Sequence, residues 1–111
     1  RHLDATALPF AANLVTVDVS FISLTLVVPA LIPHLSIGGW LVCLVKPQFE
    51  AGRDQVGKGG IVRDEAIRRQ VIDATIDELK DLGLEIVGSL PSPIKGQKGN
   101  LEELAVFRVK G

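Results

Sequence analysis

The sequence predicts an α/β fold: the C-terminal half of a doubly wound sheet, mostly parallel and closing on an antiparallel strand. Three observations predict it. Two short, continuous apolar runs, 15–19 and 40–45, flank a helical segment, as buried parallel strands do. A stretch with helical periodicity follows from residue 64. Two further strand-like runs, 84–87 and 101–109, are joined by a short Pro/Gly loop, which calls for antiparallel pairing.

The elements follow in order. Val15, Val17 and Val19 make the first run β-branched, and Asp18 marks its end. Ser20 or Ser23 can cap a helix expected from residue 21 to about residue 35, since either hydroxyl accepts an orphan backbone N–H. Pro29 inside it predicts a kink or a broken turn, and Gly38 with Gly39 stops it. The second run reads WLVCLV and completes a βαβ unit, in a sheet covered by helices on both sides. Residues 46–63 are polar, hold Gly52, Gly57, Gly59 and Gly60, and form a loop long enough to be functional or mobile. Asp64 is an N-cap, with Glu65 favourable in the first turn. Ile67, Val71, Ala74, Thr75, Leu79 and Leu82 share one helix face, and Gly83 ends it. The last strand carries Leu101, Leu104, Val106 and Phe107 among polar residues. This order leaves the first strand with an open edge, which could recruit a second copy into a homo-oligomer.

Composition narrows the function classes. The 111 residues, 47% apolar and 23% charged, make one ordinary globular domain with a small core. A formal charge of −1 gives no global signal for nucleic acid or anionic membrane. The lone Cys43 excludes an internal disulfide and fits a reducing cytoplasm; inside an apolar strand it reads as packing. Residues 1–9 lack the apolar core of a signal peptide, and the most apolar stretch, 19–35, is broken by Ser20, Ser23, Pro29 and Pro33. His2 and His34 lack partners at metal spacing, so no metal is expected; His34 near a helix end is favourable there as a cation.

Chemistry is expected at one edge of the sheet, where parallel strands end and ligands bind. Asp18 ends the first strand and Lys46 follows the second. The last strand runs the other way, so its start, with Glu102, lies at the same edge. Singly, these could be a helix cap, an exposed lysine and a solvated acid. Together they place a lysine between two acids: carboxylates orient an ammonium, while burial opposes its charge. The run Gly52–Gly59 fits G-x-x-x-x-G-K, but Gly59 stands where a Mg²⁺-binding hydroxyl belongs and no strand leads directly into it. It reads as a mobile lid or a phosphate-contacting loop. Residues 46–63 and 91–111 each carry net +2, against −4 over 64–90, which suits an anionic substrate at the rim.

Three blocks carry a family resemblance: DVSFISLTLVVPAL (18–31), LVKPQFEAGRDQVGKGGIVRD (44–64) and SPIKGQKGNLEEL (92–104). They are similar to the TlyA-type hemolysin (YqxC-like) family of FtsJ-like RNA methyltransferases, and the resemblance covers essentially the whole chain. It implies a Rossmann-like, S-adenosylmethionine-dependent methyltransferase acting on a ribose 2′-hydroxyl of ribosomal RNA. Of the family's Lys-Asp-Lys-Glu tetrad, Asp18 matches the Asp, Lys46 the second Lys and Glu102 the Glu, with Glu103 as alternative. On this reading Lys46 takes the hydroxyl proton and the acids position it. Asp18 and Val19 face the cofactor, and Arg53, Lys58, Arg63, Lys95 and Lys98 are the expected RNA contacts. The family's first lysine, glycine-rich cofactor loop and N-terminal RNA-binding module have no match here, so the fragment is expected to be inactive alone and a poor cofactor binder. Two alternatives remain: a non-catalytic self-associating or RNA-binding module, and a membrane-lytic protein as the family name suggests. For the latter the sequence offers no span and no strongly basic amphipathic helix.

Overall fold

The computed structural model describes residues 12–93, 95, 96 and 99–111. Among them a four-stranded sheet carries three helices, one of them a single turn, and two 3₁₀ turns. The strands are β1 (Ala12–Val17), β2 (Leu35–Val45), β3 (Leu84–Pro91) and β4 (Glu103–Val109); the helices are α1 (Leu24–Leu31), α2 (Pro47–Glu50) and α3 (Glu65–Lys80).

The sheet order is β1-β2-β4-β3. β1 and β2 are parallel, and β4 pairs antiparallel with both β2 and β3. The mixed sheet of a doubly wound half is therefore present, with its antiparallel strand inserted between β2 and β3. That interior place explains why β4 is apolar: Ala105 and Phe107 are fully buried. β1 lies at an edge of the sheet, as expected.

Both helices α1 and α3 pack on one face. Leu24, Val27, Val28 and Leu31 of α1 and Ile72, Ile76 and Leu79 of α3 share a core with Val17, Leu41, Cys43, Val45 and Phe107. The expectation of helices on both sides is corrected: among the described residues the opposite face is open. It carries Leu14, Thr16, Trp40, Val42, Leu44, Leu104 and Val106, all half-buried or exposed. Strand side chains alternate between faces, so this set is the one-residue offset of the core set. Within the core, burial pushes the Cys43 thiol up to about 12, helped by the nearby Glu50 carboxylate; its role is packing.

Several boundaries differ from the sequence reading. α1 starts at Leu24, not residue 21, because the Ser23 hydroxyl accepts from the Thr25 amide; Ser20 is not the cap. It gives way after Leu31 to a 3₁₀ turn, Ile32–His34, that Pro33 opens and His34 ends. Pro29 lies inside α1. Gly38 and Gly39 sit inside β2, which begins at Leu35; Gly38 adopts φ +78°, and its carbonyl accepts from the Arg108 guanidinium at 2.7 and 3.2 Å. Asp64 caps α3 as expected, accepting from the Ile67 amide at 3.0 Å, and Gly83 follows α3 at φ +91°, the left-handed conformation that ends helices. The buried face of α3 is Val71, Ile72, Thr75, Ile76 and Leu79; Ala74 and Leu82 are exposed.

Candidate active site

Asp18, Lys46 and Glu102 line one cleft of about 480 Å³, at the edge where β1 and β2 end and β4 begins. Register explains the convergence. Val17 pairs with Cys43, so Asp18 and Lys46 lie just past the ends of neighbouring strands. Val45 pairs with Glu103; one step further, Lys46 falls opposite Glu102 across an antiparallel pair. Thr16, Val42, Leu44 and Leu104 form the floor, all from the open face of the sheet.

The lysine is the inner member of the set. Its Nζ stands 2.6 Å from Asp18 Oδ1, with the Lys46 side chain 12% exposed and Asp18 66% exposed. It also donates to Ser20 Oγ at 3.2 Å. Glu102 is buried, and its Oε2 accepts from Gln48 Nε2 at 2.8 Å. Its neighbour Glu103 faces the other way, towards Arg69 of α3 at 3.4 Å, so of the two acids Glu102 is the one in the cleft.

The long loop is more ordered in its bonding than its composition suggests. α2 starts immediately after Lys46, and a 3₁₀ turn covers Arg53–Gln55. The Gly57 amide donates to the Ile61 carbonyl and the Gly60 amide to the Gly57 carbonyl, so two glycine amides are engaged within the loop. No helix follows Lys58; α3 begins seven residues on, at Glu65, and a P-loop is not formed. Buried Asn100 fastens the loop to the start of β4: its Oδ1 accepts from the Val62 amide and its Nδ2 donates to the Gly60 carbonyl, both at 3.1 Å.

Of the expected RNA contacts, Lys95 is exposed and lines the cleft. Arg53, Lys58 and Arg63 are exposed on the adjoining loop, with Arg63 Nη1 donating to the Lys58 carbonyl at 3.0 Å. Lys98 lies outside the described residues, as do His2 and residues 1–9. Val19, expected beside the cofactor, is partly buried and packs against the core; Asp18 lines the cleft.

Four residues escaped the sequence reading. Phe21 is 80% exposed, held at φ +66°, and its ring lies 4.8 Å from that of Phe49, centroid to centroid. A bulky residue in the left-handed region is uncommon and strained, a state that recurs at functional sites. No sequence signal marks it. Gln48, Gly96 and Asn100 are set by tertiary contacts; only their place in the motif blocks could have drawn attention to them.

Cofactor chemistry can be tested against these residues. An exposed carboxylate beside an apolar floor would suit one side of a nucleoside-bearing sulfonium cation, and Asp18 beside Thr16, Val42 and Leu44 has that chemistry. Among the described residues no group of His, Cys, Asp and Glu is arranged to hold a metal, and no helix is long and apolar enough to cross a membrane.

Comparison with known proteins gives a consistent family. The FtsJ-like methyltransferase family matches residues 1–109. The 16S/23S rRNA (cytidine-2′-O)-methyltransferase TlyA of Mycobacterium tuberculosis is 43% identical over 110 residues, covering 99% of this chain and 41% of that protein. Hemolysin A of Brachyspira hyodysenteriae is 44% identical over 95 residues, 86% of this chain and 40% of the relative. Among solved structures, a candidate hemolysin from Streptococcus thermophilus superposes with a TM-score of 0.91 at 41% identity, covering 97% of this chain and 39% of that one. The chain thus spans about two fifths of the length of these relatives.

Proposed function

The chain belongs to the FtsJ-like methyltransferase family, and on that premise we propose that it forms the C-terminal part of a catalytic domain that methylates a ribose 2′-hydroxyl of ribosomal RNA. The observation that carries the reading is the 2.6 Å Asp18–Lys46 pair beside buried Glu102 in a single cleft. The similarity to a protein named as an rRNA (cytidine-2′-O)-methyltransferase supports the substrate class.

S-adenosylmethionine, when bound, supplies an electrophilic methyl group on a sulfonium. This chain's residues act on the other reactant. Lys46 Nζ, largely buried and held between Asp18 and Ser20, accepts the 2′-hydroxyl proton as the ribose oxygen becomes nucleophilic. A base needs a lone pair, so the ammonium paired with Asp18 first releases a proton to solvent, and the neutral amine is the form that reacts. Asp18 aims that amine and stabilises the ammonium that forms. Glu102, at the opposite wall of the cleft, fixes the second side of the pocket into which the ribose fits. Holding nucleophile and base in one geometry accounts for a large share of the rate such a site can supply.

The rim supports an RNA partner. Arg53, Lys58, Arg63 and Lys95 are exposed cations on the loops around the cleft, and Lys98 is proposed with them from its motif position. Exposed Phe21, backed by Phe49, offers a ring for stacking a base. The cofactor wall built by Asp18 is one side of a cleft, so the 111 residues alone are expected to bind S-adenosylmethionine weakly and to transfer no methyl. A cytoplasmic location follows from the substrate.

The test is methyl transfer by the longer protein that contains this chain, with ribosomal subunits and labelled S-adenosylmethionine. Label in alkali-resistant dinucleotides, the mark of 2′-O-methylation, supports the reading. Label on a base, or none, contradicts it.

A further inference from the structure

We infer that Gln48 is a positioning residue, whose side-chain amide fixes the Glu102 carboxylate relative to Lys46; the inference rests on the methyl-transfer reading above. Lys46 and Gln48 are two residues apart on the tight turn that opens α2. Their side chains reach to opposite sides of the site. Lys46 Nζ goes to Asp18 and Ser20 at the end of β1, while Gln48 Nε2 donates to Glu102 Oε2 at the start of β4. The turn Lys46-Pro47-Gln48 is thus a short covalent gauge that sets the distance between the two halves of the constellation.

Both partners of the Gln48–Glu102 bond are out of water. Gln48 is 9% exposed and Glu102 6%. A carboxylate taken out of water needs a donor, and Gln48 provides one at 2.8 Å. The same amide leaves its own Oε1 buried with no partner among the described residues. An orphaned acceptor destabilises the folded state, and an apolar side chain of equal size would avoid it. Gly96 also lies against this carboxylate: a Cβ there would overlap it, nearest to the same Oε2 that Gln48 binds. The Gln48 amide bonds the carboxylate, and the bare Gly96 backbone leaves it room to sit there.

The experiment uses the full-length protein with rRNA and labelled S-adenosylmethionine, and compares Gln48→Met, Gln48→Glu, Glu102→Gln and the Gln48→Met/Glu102→Gln double variant. Gln48→Met takes the donor away from the buried Glu102 carboxylate, so it is expected to melt below the wild type, with much of the loss recovered in the double variant. Its kcat should fall about 10- to 100-fold with KM for rRNA within about twofold, and the fall should vanish in the Glu102→Gln background. Gln48→Glu, equal in size, is expected to lose kcat as well, by repelling Glu102; it serves if the methionine variant does not fold. Wild-type kcat in both variants, or a fall undiminished in the Glu102→Gln background, overturns the inference. If the wild-type protein transfers no methyl to rRNA, it is the reading of the reaction that fails. The inference is then decided by a crystal structure of Gln48→Met: a displaced or multiply placed Glu102 carboxylate upholds it, an unmoved one overturns it.

Discussion

Asp18 and Lys46 close a 2.6 Å ion pair across the ends of two parallel strands, each one residue beyond its strand's last residue, Val17 and Val45. The lysine is the sheltered partner and the acid the exposed one. Such a pair, half in water, adds little to stability. Its consequence is directional: the lysine amine is aimed into the cleft from a rigid strand end and not from a loop.

Replacing Asp18 by Asn should therefore separate activity from folding. The exposed site predicts a stability change within about 0.5 kcal/mol, while loss of the aiming charge lowers methyl transfer about 100-fold in the full-length protein. Thermal melting beside a methylation assay checks both. A large drop in melting temperature would mean that the pair is structural.

Asn100 ties the glycine loop to β4 through the Val62 amide and the Gly60 carbonyl. Asn100→Ala leaves the Val62 N–H without that acceptor in a buried place and should cost about 1–3 kcal/mol. Amide exchange should accelerate over residues 57–62 ahead of the core strands. Uniform acceleration across the chain would contradict a local tether.

Glu50 predicts a pH dependence. Burial raises its pKa; the bonds from the Ser23 hydroxyl and the Leu24 amide oppose that rise, and Glu78 adds repulsion. A carboxyl raised on folding contributes stability that is complete below its unfolded value, about 4.3. That stability is lost as pH rises through the higher folded value. Glu50→Gln has no such proton, so its stability relative to wild type should improve as pH rises through that window. Denaturant unfolding from pH 4 to 7 measures the difference, and a difference independent of pH would refute it.

The parts legible in sequence were those that strand topology dictates. Asp18, Lys46 and Glu102 meet because two parallel strands end, and one antiparallel strand begins, at the same edge; alternation then selects Glu102 over Glu103 for the cleft. Boundaries were less legible. Gly38 and Gly39 look like a helix stop, yet β2 runs through them because Leu35 pairs with Ala12 and Arg108 binds the Gly38 carbonyl. In α3, Ile72 and Ile76 offered a second apolar stripe beside Val71, Thr75 and Leu79, and packing against the sheet chose the face between them. The strained backbone of Phe21 and the direction of the Gln48 amide arise from tertiary contacts that no local pattern encodes.

The most direct test of the account is Lys46→Ala in the full-length protein, assayed for 2′-O-methylation of rRNA with folding monitored by melting. The account predicts an intact fold and a loss of about 10²–10⁴-fold in rate, the range a general base supplies. Full methylation by the variant would contradict the role assigned to Lys46, and with it the mechanism built on this cleft.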